Sequence, residues 1–225
     1  MAVLVAGGTG ALGGAVLREL AESGYDVTAT WLVEREAERI ESELGDAVRL
    51  LQADLLDAAG AAGAVEAVED LEAVVNLVGG FSDGPKAHET DPDDFMKMIR
   101  LNVLPAFLLA RAAMPVLSDR GGGAFVAVSA RAALRPFPGA AGYITGKAAV
   151  LALVQALDTE YKAAGVRCNA VLPSVIDTPA NRKATPDADF DRWVAPAEIA
   201  KVIRFLVSDE SAPVSGAGVP VYGRA

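Results

Sequence analysis

A chain of 225 residues is long enough for one or two domains and buries on the order of 70% of its unfolded surface. Hydrophobic residues make up 52% and charged residues 22%, a balance that excludes intrinsic disorder. The 30 acidic residues outnumber the 20 basic ones, and the net charge of −10 argues against nucleic acid or an anionic membrane as partner, though not against a local basic pocket for a phosphorylated cofactor.

Residues 2–6 are an unbroken apolar run with no basic segment before it, which predicts a buried strand and not a signal peptide. A glycine-rich turn follows over 7–14, then an amphipathic helix over 15–21 that Ser23-Gly24 stops. A strand over 27–32, a charged helix over 35–44, a strand over 48–53, a short Ala/Gly-rich helix over 57–70 and a strand over 73–78 come next. The spacing then predicts a long helix over 93–117 that contains Pro105 and Pro115, a strand over 123–129, an Ala-rich helix over 142–164 and a strand over 166–172. Residues 177–193 are irregular, a candidate substrate lid; a helix over 196–207 and a strand over 219–222 close the chain.

This alternation implies an α/β fold, a doubly wound parallel sheet of about seven strands with helices on both faces. Continuous apolar strands suit a sheet covered on both sides. No repeat and no linker divides the chain, so 1–225 reads as one domain. No run of 18 uncharged apolar residues exists, so no membrane span is expected. Cys168 lies in an apolar run and reads as a buried strand thiol. With His88 as the only histidine, no metal site is expected. A Ser-His-Asp triad would need His88 and lacks the Gly-x-Ser-x-Gly turn.

The glycine-rich turn, Gly7-Gly8-Thr9-Gly10-Ala11-Leu12-Gly13-Gly14, lies between a strand and a helix. Glycines there let the backbone approach a pyrophosphate, and the helix N-terminus adds unpaired N–H groups and partial positive charge. No Lys-Ser/Thr pair follows, which speaks against a Walker-type site. The turn resembles the Thr-Gly-x3-Gly-x-Gly loop of the short-chain dehydrogenase/reductase family, with Ala6 for the Thr and Ala11 for the middle Gly. The resemblance runs along nearly the whole chain. Asp54-Leu55 follows the third strand, and Asn76-Leu77-Val78-Gly79-Gly80 is similar to the family's Asn-Asn-Ala-Gly. Asn102 matches its helix Asn, and Tyr143-Ile144-Thr145-Gly146-Lys147 its Tyr-x3-Lys. Pro173 to Pro179 is similar to Pro-Gly-x-Ile-x-Thr-Pro, and Ser215-Gly216 to its late Thr-Gly.

The resemblance implies a Rossmann-type fold and an NAD(P)-dependent oxidoreductase. Hydride would pass between nicotinamide and a small carbonyl, alcohol or conjugated C=N substrate. Its cofactor would be held by Gly7, Thr9, Gly10, Ala11, Leu12, Gly13, Trp31, Arg35, Asp54, Leu55, Asn76, Gly79, Tyr143, Lys147, Pro173, Val175, Ile176 and Thr178.

Tyr143 and Lys147 are four apart and share one helix face. An ammonium beside a phenol should lower its pKa from about 10, which suits a proton donor and acceptor. Asn102 precedes Pro105 by three residues, where the missing N–H should bend the helix and loosen carbonyls; the resemblance gives Asn102 a place in a proton relay through the lysine. The family's carbonyl-orienting Ser stands thirteen residues before the Tyr, and here that position is Ala130. Ser129 is one residue early, which on a strand turns it to the opposite face unless a bulge intervenes. Ser129 is therefore a catalytic candidate only on that condition. Ala130-Arg131-Ala132-Ala133-Leu134, with Gly7 to Gly13, resembles the Ser-less site of the family's dihydropteridine reductases.

An acidic residue at the end of the second strand would bind the NAD ribose. Trp31 stands there, with Glu34 able to take a 2′-OH and Arg35 a 2′-phosphate, a slight preference for NADP. The helix over 142–164 spreads Ala148, Val150, Leu151, Leu153, Val154 and Leu157 around much of its girth, which predicts burial on more than one side and a homodimer or homotetramer. The expected setting is cytoplasmic. The other reading is a dinucleotide-binding redox sensor with little turnover, favoured by Ala130 and disfavoured by Tyr143, Lys147 and Asn102.

Overall fold

The central strands form from short apolar runs that lie between helices covering both of their faces, while the edge strands are only partly buried. The computed structural model describes residues 1–225. The strands are β1 (Ala2–Ala6), β2 (Asp26–Trp31), β3 (Val48–Gln52), β4 (Leu71–Asn76), β5 (Gly123–Val128), β6 (Val166–Pro173) and β7 (Gly218–Val221). They form one parallel sheet in the order β3-β2-β1-β4-β5-β6-β7. The helices are α1 (Gly13–Glu22), α2 (Glu34–Leu44), α3 (Ala58–Glu66), α4 (Pro92–Asp119), α5 (Ala141–Tyr161), α6 (Pro179–Ala184) and α7 (Pro196–Val207).

Alternation along each strand divides the core in two. Leu4, Val74, Phe125 and Leu172 meet α3, α4 and α5 on one face. Val3, Val5, Val75 and Val126 meet Leu17 and Leu20 of α1, Ile40 of α2 and Ile199 and Ile203 of α7 on the other. The strand order reverses between β1 and β4, which opens a crevice at their carboxyl ends, the usual ligand position in such sheets.

Most boundaries shift by one to three residues from the sequence expectation, and three differences are larger or have an evident cause. β4 ends at Asn76 and not at 78, because the Asn76 side-chain carbonyl accepts the Val78 N–H (3.1 Å) and turns the chain. α3 stops at Glu66, and the chain then turns through Asp70 at φ 52. The candidate lid is not without structure: it holds α6 and a single tight turn at Phe190–Arg192. α4 has the length and apolarity to cross a bilayer, but half of its most apolar window is buried in the fold, as a core helix requires.

Candidate active site

The chain leaves β1 at Gly7, whose φ of +73° and the nearness of Val78 (3.0 Å from a would-be Cβ) favour glycine. Its N–H donates to the Thr30 hydroxyl of β2 (2.9 Å). α1 begins at the crevice, and the N–H groups of Ala11, Leu12 and Gly13 donate to nothing in the chain. Such orphan donors, with the positive end of the helix dipole, make an anion site. At Gly10 a Cβ would meet only the Gly7 carbonyl, at 3.5 Å, so this backbone stands open. The loop and helix end fit a dinucleotide pyrophosphate. The sequence sets Gly13 against that pyrophosphate; the structure sets its Cα against Gly8, where a Cβ would lie 2.0 Å from the carbonyl oxygen. Gly13 therefore seats the helix on the loop and offers the ligand only its N–H.

Across the crevice, α5 brings Lys147 and α4 brings Asn102 to the backbone after β4. A Cβ on Gly79 would lie 2.6 Å from Asn102 Oδ1 and 2.9 Å from Lys147 Nζ. Asn102 is fully buried; its Oδ1 accepts the Gly80 N–H (3.2 Å), and its Nδ2 donates to the carbonyls of Gly80 (3.1 Å) and Met98 (2.9 Å). The amide thus clamps the Gly79-Gly80 backbone beside the lysine. Lys147 Nζ donates to the Val128 carbonyl at the end of β5 (2.9 Å).

Tyr143 lies one turn before Lys147 on α5. Its ring meets Phe81 edge to face, with centroids 5.0 Å apart. Contrary to the sequence expectation, the phenol is not lowered: burial pushes Tyr143 up to about 12 and pulls Lys147 down to about 8. Desolvation outweighs the attraction anticipated from spacing alone.

Ser129 continues the β5 ladder through its N–H to the Val171 carbonyl (2.9 Å), and the β5–β6 register runs without a shift. Its buried hydroxyl donates to the Lys147 carbonyl (2.7 Å). Ala130 is extended at φ −159°, ψ 156°, so its methyl points away from Ser129. Ser129→Ala should cost about 1 kcal/mol of stability, the worth of one hydrogen bond, and change turnover by no more than about fivefold, the factor to which that energy corresponds. Thermal melts and steady-state rates on the one variant check both; a loss near that of Tyr143→Phe would return Ser129 to the site.

Trp31 ends β2 half-buried, and Arg35 is exposed on the first turn of α2. Asp54 is exposed after β3 and accepts the Leu56 N–H through one carboxylate oxygen (2.9 Å), while Leu55 is buried. Asn76 is buried at the end of β4. Pro173 ends β6, Val175 is exposed and Ile176 half-buried, and the Thr178 hydroxyl caps α6 by accepting the Asn181 N–H (3.2 Å). The lid after it packs on itself: Arg182 grips the Asp177 carboxylate (2.6 and 2.8 Å) and covers the Phe190 ring, which meets Trp193 at 4.8 Å. Cys168 is buried in β6 and pushed up to about 12 by desolvation, an inert thiol.

A hollow of about 310 Å³ on the opposite, amino-terminal edge of the sheet is polar, and both of its arginines are engaged. Arg120 pairs with Glu72 (3.3 Å), and Arg167 donates to the carbonyls of Leu206, Val207 and Ser208 and to the Ser211 hydroxyl. Arg167 thereby caps α7.

Three side chains at the site carry no signal in the sequence. Arg39, on the charged α2, donates to the Thr9 carbonyl (2.8 Å) and holds the glycine loop from thirty residues away. Phe81 and Phe137 sit on separate loops and meet only in space, 6.4 Å between centroids.

A family profile described as short chain dehydrogenase matches residues 1–189. Over 236 residues the chain is 31% identical to a 2,5-dichloro-2,5-cyclohexadiene-1,4-diol dehydrogenase of Sphingobium indicum, covering 98% of this chain and 94% of that protein. A short-chain type dehydrogenase/reductase from Mycobacterium ulcerans superposes with a TM-score of 0.93 at 27% identity, over 99% of this chain and 88% of that one. A 3-ketoacyl-(acyl-carrier-protein) reductase from Brucella melitensis, solved with NADH, superposes with a TM-score of 0.89 at 25% identity, over 99% and 97%.

Proposed function

The chain belongs to the short-chain dehydrogenase/reductase family of oxidoreductases, which bind NAD(P), and on that premise we propose that it moves hydride between the nicotinamide and a small carbonyl, alcohol or conjugated C=N substrate, with Tyr143 handling the proton. One observation above all supports the reading: Lys147 and Asn102 converge on Gly79, with Tyr143 one turn away, beside a glycine loop whose helix donors are unpaired. Dehydrogenase chemistry on an alcohol carbon, as named for the Sphingobium relative, agrees with it.

Nicotinamide, when bound, supplies or accepts the hydride. The residues of the chain do the rest. The N–H groups of Ala11, Leu12 and Gly13 take pyrophosphate oxygens. Asn102 fixes the Gly79 backbone, so that Lys147 Nζ stays at the crevice. Tyr143, a neutral phenol at pH 7 that burial shifts further from ionisation, donates its phenolic proton to the substrate heteroatom in reduction, and its phenolate takes the proton back in oxidation. Ala130 offers no hydroxyl, so the phenol alone meets that atom. Arg35 forms no ion pair and is free to meet a 2′-phosphate, which supports NADPH as the preferred form. Oxidation of NADPH by a panel of ketones and pterin-like imines tests the function, and no turnover across the panel counts against it.

We also propose a homo-oligomeric, cytoplasmic enzyme. Val150, Val154 and Leu157 bury one side of α5, while Ala152 and Ala156 stay exposed, next to an α4 that exposes Phe107 and Val116. An apolar surface on two neighbouring helices suits a second copy of the chain. Light scattering across a dilution series should give twice or four times the 23.2 kDa chain mass; a monomer throughout refutes it.

A further inference from the structure

Three adjacent strands deliver apolar side chains into water at the carboxyl edge of the sheet. Phe81 follows β4 and is 56% exposed, Leu134 and Phe137 follow β5 at 57% and 42%, and Val175 follows β6 at 48%. Large apolar groups clustered in the open beside a polar site mark a binding surface. Phe81 is the centre of the group: its ring stands at 87° to Tyr143 and at 44° to Phe137. The two loops are fastened together, since the Gly84 N–H donates to the Gly139 carbonyl (2.7 Å). Gly139 has φ +83°, and a Cβ there would press within 2.6 Å of the Gly84 carbonyl. This backbone contact ties the loop that carries Phe81 to the loop that carries Phe137.

We propose, resting on the oxidoreductase reading above, that Phe81 and Phe137 form a jaw that selects an uncharged carbonyl borne on a flat apolar ring, with Phe81 as the positioning residue. Aromatic rings attract one another at centroid spacings of about 4.5–7 Å in edge-to-face or offset arrangements, and this jaw presents such faces next to the proton donor. A rigid ring surrenders little conformational freedom on entering, whereas a chain of equal carbon number must freeze its torsions. A carboxylate set between the two rings would lose part of its water, at a cost in binding.

The test compares 2-tetralone, 2-decanone and pyruvate, the first two equal in carbon number, with the intact enzyme and with Phe81→Leu, which keeps apolar volume but removes the ring. The expected kcat/KM for 2-tetralone exceeds that for 2-decanone by about tenfold or more, the scale on which a shaped apolar pocket discriminates. Phe81→Leu should cut this ratio by about tenfold, mainly through KM, with the cofactor Kd and melting temperature unchanged. A preference for 2-decanone or pyruvate, or a ratio that Phe81→Leu leaves alone, overturns the jaw and leaves the oxidoreductase reading standing. Should no ketone turn over, saturation-transfer NMR of 2-tetralone on the protein with NADPH decides separately. A signal lost in Phe81→Leu upholds the jaw while the carbonyl chemistry falls; an equal signal in both proteins overturns it.

Discussion

Tyr143→Phe should leave the Kd for NADH or NADPH within about twofold and lower turnover by a factor on the order of 10²–10⁴, the usual contribution of a placed proton donor. The substitution removes one oxygen from a ring that is mostly surrounded and packed edge-on by Phe81, so the fold has little reason to respond. The phenol sits near 12 and stays protonated throughout the working range, while Lys147 sits near 8. Reduction should therefore run level below pH 8 and decline above it, as the ammonium beside Gly79 loses its charge. Oxidation needs the phenolate of Tyr143 as proton acceptor, a minor form below pH 12 whose share grows with pH, so oxidation should gain with rising pH. Fluorescence titration with NADPH and stopped-flow rates across pH check these outcomes together. Turnover by Tyr143→Phe within tenfold of the intact protein would remove Tyr143 from the chemistry.

Gly13→Val should unfold the chain or lower its melting temperature by about 10 °C or more, through a loss on the order of 3 kcal/mol. The first added carbon would lie 2.0 Å from the Gly8 carbonyl oxygen and 2.4 Å from its carbon. Both are backbone atoms, so no side-chain rotation relieves the contact. Relief requires α1 to lift from the loop, and α1 carries Val16, Leu17 and Leu20 into the core. Gly10→Ala is the contrasting change: its Cβ meets only the Gly7 carbonyl at ordinary distance, 3.5 Å. That variant should melt like the parent and bind cofactor more weakly, because the methyl enters the space left to the pyrophosphate. Differential scanning calorimetry with a cofactor titration separates the two effects, and a normally melting Gly13→Val would refute the close seat of helix on loop.

The amino-acid sequence by itself determined the order of strands and helices, the glycine loop at the first turn and the pairing of Tyr143 with Lys147 on one helix face. Each of these is a local property, carried by apolar periodicity, by glycine where the backbone must approach closely, or by a spacing of four on a helix. Even the offset of Ser129 from Ala130 was legible, because side chains alternate along an extended strand. The tertiary structure decided the rest. Asn102 finds Gly80 across 22 residues and Arg39 finds Thr9 across 30, and no periodicity reports such meetings. Gly13 looked like a ligand contact until Gly8 was seen beneath it. Tyr143 shifts upward and not downward because burial, a property of everything packed around it, outweighs the one charge that the spacing revealed. Phe81 and Phe137 become a jaw only when β4 and β5 lie side by side and their loops are fastened at Gly84 and Gly139.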